Sequence, residues 1–511
     1  MPNFFDSQLA GMDWFILAGY FVLIIVIGAL ASRGTGDEKG FFLGGRKMPA
    51  WAVAMSFAAT TLSAATFIGY PQASFKEGGD LTLLIHEFSK LFAALLVALL
   101  FLPVLYRGGS ATVYGYLGRR ISPGAATAAS TMFLLGRLLA SGSRLFIAGT
   151  AFSLILYNNI DSKNLITAII LFGVVGTLYT TLGGIKAVIW TDTLQLIIVV
   201  GAVVVSIVLL LQAIPLSVGE IAQEIQLKQK HVVFNPSLDL SKPNTLLAAL
   251  ALTVFYAAAF GADQDMAQRL LTCKSLKQSI GSLFGAILIS VPITVLFMVV
   301  GLLLYIFYSG PDLMGDAAPA YTIDDAREVY PQYLLNELPM GVRGLAMAGL
   351  FAAAMSSLDS VINAMASSVS SDILGPMRKR AAGMGAADPS SNNWLHRLLV
   401  IVMGVLLTGA AIGMVALYDP KSDTLIQFAL GVMAFAYAGL MGVFLSVLLT
   451  GRGSTMSVVA ALIVGMGVIA ASRYAPAIAD LPIAWPYWMV LATLASMLIC
   501  LLGSCKPINR L

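Results

Sequence analysis

The chain has 511 residues, 58% of them hydrophobic and 11% charged, with a formal net charge of +4 and a mean hydropathy of +0.87. That balance excludes an ordinary soluble enzyme or a nucleic-acid-binding module and describes an all-α polytopic membrane protein. The small excess of base reflects where lysine and arginine fall relative to the bilayer, so it carries no information about ligands.

Apolar stretches of about 20 residues, enough to cross a ~30 Å hydrocarbon core, number about thirteen. They fall near 12–33, 48–74, 81–106, 120–157, 163–182, 188–212, 245–271, 280–308, 339–372, 395–417, 423–448, 455–473 and 485–503, and are numbered spans 1 to 13. The leading MPNFFDSQLAGMDWF has no positive segment and no small-residue cleavage site, so span 1 is expected to be a permanent helix.

Span 2 reads WAVAMSFAATTLSAATFIGYPQASF, a small, hydroxyl-rich centre followed by Gly69 and Pro71. It suits a helix interrupted at mid-depth with exposed carbonyls, or else small residues that only allow close packing. Span 3 holds His86, Glu87 and Lys90, the last two at the i, i+3 spacing of a salt bridge. In span 4, Arg137 and Arg144 stand seven residues apart on one face. Arg137 is the deeper, and an arginine there needs a carboxylate, a carbonyl cluster or an anionic ligand. Span 6 opens GGIKAVIWTDTLQ, where Asp192 is either a helix-start charge or a cation ligand.

Span 7, FYAAAFGADQDMAQR, repeats the interrupted pattern with Gly261 ahead of Asp263, Gln264 and Asp265. Span 9 contains AAAMSSLDSVINAMASSVSSD, in which Ser356, Asp359 and Ser360 lie at i, i+3, i+4 and share a face. Intramembrane serines mostly bond back to their own helix. An aspartate costing about 2.5–3.5 kcal/mol at a helix centre is not explained that way, and the stretch reads as one that wraps a cation.

Two interrupted spans set five apart imply two five-helix halves of opposite topology. These are 48–212 and 245–448, separated by the loop 213–244, preceded by one extra span in 1–33 and followed by two in 455–511. With the N-terminus outside, residues such as Arg33, Arg46, Lys47, Arg119, Arg120, Arg269, Lys274, Lys277, Arg378, Lys379, Arg380, Lys506 and Arg510 collect on the cytoplasmic side, which predicts N-out, C-in. Cys273, Cys500 and Cys505 are odd in number and near that side, which argues against a disulfide framework. His86, His231 and His396 are too scattered to form a metal cluster, and no nucleophile and base pair marks an enzyme.

These motifs resemble the sodium:solute symporter family, which includes sodium-coupled sugar, proline, iodide and sialic acid transporters. The resemblance runs along nearly the whole chain, through FFLGGRKMPAW, SFAATTLSAATFIG, GGIKAVIWTD, ADQDMAQRLLTCKS and GLAMAGLFAAAMSSLDSVINAMASSVSSDIL. It implies a LeuT-type five-plus-five inverted repeat and sodium-coupled solute import by alternating access. It also implies a central sodium ion on the carbonyls of Ala59, Leu62 and Ala353 and the hydroxyls of Ser356 and Ser357. Some members hold a second sodium, here on Asp192, Ser356 and Ser360, with Asp359 where sialic acid members use serine. That departure strengthens the second site, turns it toward protons, or abolishes it.

For the solute, the resemblance implies Ser63, Thr66, His86, Glu87, Arg137, Tyr256 and Phe260. Ile289 stands where sugar members carry a lysine, and Ala65-Thr66 where they carry Glu-Gln. The expected solute is therefore small and carboxylate-bearing, with Arg137 on its anionic end and Glu87 on an amine or hydroxyl. The alternative at those residues is that Arg137 and Glu87 pair with each other. The alternatives in function are a sodium/sugar symporter and a solute-binding membrane sensor. The partners expected are sodium, a small solute and the bilayer, with no nucleic acid, and the short termini and loops suit a bacterial inner membrane.

Overall fold

The computed structural model describes residues 9–31, 38–108, 112–181, 184–319, 321–323, 325–377, 393–417 and 425–504. Arg33, Arg378, Lys379, Arg380, Lys506 and Arg510, used for the orientation, and Cys505 lie outside the described residues. Among the described residues the helices carry the fold, and nine are long and apolar enough to cross a membrane. Two bent pairs fall at spans 2 and 7, and two shorter apolar helices, Ser162–Leu178 and Trp485–Leu501, at spans 5 and 13.

The bends have local causes. Span 2 consists of Ala50–Thr61 and Ala64–Phe75, set at 57°. Leu62 (ψ 87°) and Ser63 (ψ 177°) leave helical geometry between them, and the Ser63 N–H donates to Thr66 Oγ1 at 3.3 Å, which starts the second half. Span 7 consists of Leu246–Ala262 and Gln264–Leu270, set at 63°. Its pivot is Asp263 (ψ 127°), which caps the shorter half by accepting from the Asp265 N–H at 2.9 Å. The start of span 2 and the end of span 7 are tied together: the Met48 N–H donates to Thr272 O at 3.2 Å, and Gln268 Nε2 to Phe42 O at 2.6 Å. Gly44 and Gly45 (φ +59° and +68°) make the left-handed turn that admits this approach.

Span 9 is the axis of the bundle. In its apolar window 94% of residues are buried, against 22% in span 1 and 28% in span 12, which therefore face lipid. Spans 6 and 9 meet closely: a β-carbon placed on Gly349 would stand 2.6 Å from Ala202 Cβ. Span 1 docks on the start of span 9 through Asp13. This carboxylate is fully buried and accepts from the Gly341 and Gly344 N–H groups at 2.8 and 2.9 Å, where the helix macrodipole favours negative charge.

The segment 213–244 is anchored by Lys230, which is 2% exposed. Its ammonium donates to the carbonyls of Ser74, Phe75, Lys76 and Gly79 at 2.8–3.2 Å, closing the end of the second half of span 2. Lys230→Met keeps the aliphatic stem but removes the donor those carbonyls share, leaving only Lys76 O with another donor among the described residues, the Gly79 N–H at 2.9 Å. Hydrogen bonds to a charged group contribute about 1.5–3 kcal/mol, so the variant is expected to lose about that much stability, read as a lower melting temperature of the detergent-purified protein.

Candidate solute and sodium site

The break in span 2 faces the hydroxyls of span 9. Ser356 Oγ lies 3.2 Å from both Ala59 O and Ala353 O, so three of the five oxygens expected around the central sodium cluster here. Ser357 Oγ donates to Ala354 O at 3.0 Å, within its own helix. Neutral carbonyls and hydroxyls at an unwound segment are the donor set that transporters of this construction use for sodium.

The second cluster differs from expectation. Arg269, counted above among surface bases, is fully buried. Its Nε donates to Ser56 Oγ at 3.0 Å, its Nη1 to Asp265 Oδ1 at 2.6 Å, and its Nη2 lies 3.4 Å from Asp192 Oδ2 and in contact with Ser360 Oγ. Ser56 Oγ also donates to Asp192 Oδ2 at 2.5 Å. A guanidinium thus stands between Asp192 and Ser360, where a second sodium was expected. Asp359 Oδ1 accepts from Ser360 Oγ at 3.1 Å, while Oδ2 has no hydrogen-bond partner.

Arg137 is likewise withdrawn from the solute. It is 1% exposed and bidentate on Asp263, with Nε and Nη2 both at 2.8 Å, and its Nη2 is 3.1 Å from Asp265 Oδ2. Tyr437 donates to the same Asp263 at 2.8 Å. Two aspartates at the span 7 bend neutralise its charge, while its Nη1 has no hydrogen-bond partner among the described residues, and Arg137 makes no pairing with Glu87. Glu87 accepts from Lys90 at 2.5 Å, Thr294 at 3.0 Å and Ser290 at 3.2 Å; the lysine one helical turn away engages it before any ligand. His86 Nδ1 is 2.9 Å from the Tyr256 hydroxyl, which it positions.

An open cavity, with about 600 Å³ of empty space that runs on into open solvent, lies beside these elements. Ser63, Thr66, Tyr256 and Phe260 line it as expected; Glu87, Arg137 and His86 do not. The charged groups on its wall are Lys90 and Arg144. Lys90 is engaged by Glu87. Arg144 Nη2 meets only Met433 Sδ at 3.3 Å, and its Nη1 is buried with no hydrogen-bond partner. The sequence signal for Arg144 was its seven-residue spacing from Arg137, which fixed a shared face but not which arginine would be neutralised.

A helical membrane bundle in which a broken span meets the hydroxyls of a central helix at an oxygen-rich seat beside an open cavity is an ion-coupled secondary transporter. The chain belongs to the sodium:solute symporter family, whose model matches residues 41–465. It is 26% identical over 470 residues to the sodium/sialic acid symporter SiaT of Proteus mirabilis (strain HI4320), covering 91% of this chain and 90% of that one. It is 28% identical over 469 residues to sodium-coupled monocarboxylate transporter 1 of Homo sapiens, covering 89% and 72%. A solved structure of a Na+-coupled sialic acid symporter, substrate-bound and outward-open, matches with a TM-score of 0.81 and 23% identity over 96% of this chain and 97% of that one. The expected family and the LeuT-type fold are thereby borne out. The protein is a multi-pass membrane symporter of a small-molecule solute, and sodium is its coupling ion.

Proposed function

We propose that the protein imports a small carboxylate-bearing solute with sodium, and that Arg144 holds the carboxylate. The observation that carries this reading is the state of the buried arginines. Arg137 and Arg269 are neutralised by aspartates, whereas Arg144 faces the cavity with no carboxylate at salt-bridge distance among the described residues; an unpartnered Nη1 is common to Arg137 and Arg144. A partly buried guanidinium with no counter-charge is unfavourable, and a planar carboxylate matches its donor fork. Phe255, Tyr256 and Phe260 supply an apolar wall for the solute's body, and Ser63 and Thr66 supply hydroxyl contacts. The relatives named for sialic acid and for monocarboxylates both carry acids, which agrees with this class.

In this reading the central sodium sits on Ala59, Leu62, Ala353, Ser356 and Ser357, and the Arg269 guanidinium takes the place of a second ion between Asp192, Asp359 and Ser360. The halves 48–212 and 245–448 rock about this seat, in an N-out, C-in orientation and in a bacterial inner membrane, with transport rather than catalysis as the activity. Sodium drives uptake only if it binds one of the two access states better than the other.

The test is uptake by proteoliposomes under an inward sodium gradient, offering labelled monocarboxylates, sialic acid and glucose. A carboxylate is expected to accumulate with sodium and not with potassium, and Arg144→Met is expected to abolish the uptake. Sodium-driven glucose uptake that survives Arg144→Met would overturn the solute class.

A further inference from the structure

The central cavity does not end at Arg144. Behind it, between spans 4, 5 and 9, is a smaller chamber with room for little more than one water-sized group, lined by Arg144, Ser141, Ala148, Phe172, Ala354 and Ser357 among others. Arg144 borders both spaces. Ser141, three residues earlier and on the same face of span 4, is 4% exposed, and its Oγ has no hydrogen-bond partner. Across the chamber stands Ser357, one of the hydroxyls assigned above to the central sodium.

We infer that this side chamber is a seat for a small monovalent anion, held by Arg144 and Ser141 directly against the sodium-binding hydroxyl of Ser357. The inference rests on the reading of Arg144 as the anion-binding arginine and adds where the anion sits. The chemistry of the walls is specific. One guanidinium and one unpartnered hydroxyl face otherwise apolar surface from Leu145, Ala148, Phe172 and Leu358. Two buried donors without acceptors call for an acceptor. The walls offer one formal positive charge and little room, which fits a carboxylate or a halide and not a whole solute.

The position has a consequence for coupling. Ser357 has lone pairs for sodium and one proton that now goes to Ala354 O, so a rotation of this hydroxyl presents its oxygen to the cation and its proton to the anion. Opposite charges on either side of one hydroxyl, away from water, attract strongly. By linkage each then raises the affinity for the other by the same factor.

The experiment uses the full chain in detergent and titrates sodium by thermal shift in three anion backgrounds: acetate, chloride and a bulky sulfonate buffer. Relative to the sulfonate, a fitting anion is expected to lower the half-effective sodium concentration by about tenfold, the size of one charge-assisted contact. Ser141→Val fills the chamber and Ser141→Ala removes only the hydroxyl; each is expected to remove most of that anion effect, and the milder variant decides the matter if the larger one does not fold. Acetate ahead of chloride assigns the seat to a carboxylate such as the solute's own, and the reverse order assigns it to a free halide. If both serine variants keep the full anion effect while Arg144→Met abolishes carboxylate uptake, the seat is wrong and the anion stays in the main cavity. If Arg144→Met leaves carboxylate uptake intact, the functional reading itself fails.

Discussion

Arg137→Met is expected to cost the protein about 3–5 kcal/mol of stability, the usual effect of removing one partner from a buried ion pair, and to leave solute selectivity alone. The guanidinium holds Asp263 with two bonds at 2.8 Å and Asp265 at 3.1 Å, all essentially without exposure. Its loss leaves Asp263 without a counter-charge at the bend of span 7, while Asp265 keeps Arg269, which also serves Asp192. The double variant Arg137→Met/Asp263→Leu removes the stranded charge with its partner and should recover much of the loss. Melting temperature and monodisperse yield in detergent report the effect. A large rise in the solute KM with an unchanged melting temperature would return Arg137 to the solute site.

Ser356→Ala is expected to raise the sodium concentration for half-maximal uptake by about tenfold or more, since a contact to a charged group contributes about 1.5–3 kcal/mol. The fold should tolerate it, because the hydroxyl bonds only to main-chain carbonyls, Ala59 O and Ala353 O, at 3.2 Å. The seat lies at the break of span 2, so the variant should move the sodium dependence much more than the melting temperature in the absence of sodium. An unaltered sodium dependence would remove Ser356 from the ion's shell. The two experiments separate the Arg137 network at the bend from the span 9 hydroxyls proposed to meet the ion.

Several features were legible in the chain because they are local or periodic. The apolar lengths marked the spans, and the small, hydroxyl-rich centre of span 2 and the Gly-Ala-Asp-Gln-Asp run of span 7 marked the two bends, found at Leu62–Ser63 and at Asp263. The i, i+3 spacing of Glu87 and Lys90 correctly marked a salt bridge. The hydroxyl face of span 9 pointed to Ser356, which the fold brings to the carbonyl of Ala59.

What the sequence could not decide was the distribution of partners among buried charges. Arg137, Arg144 and Arg269 each carry the same charge at membrane depth, and spacing along a helix says nothing about which aspartate of another helix will reach them. Tertiary packing places Asp263 and Asp265 between Arg137 and Arg269 and leaves Arg144 facing the cavities. The roles of Asp13 and Lys230 were hidden for the same reason, since each acts on backbone groups far away in the chain. Composition and periodicity set the helices, because those depend on neighbours in sequence. The assignment of each charge to structure or to ligand was left to the fold, because Coulomb and hydrogen-bond partners are chosen by distance in space.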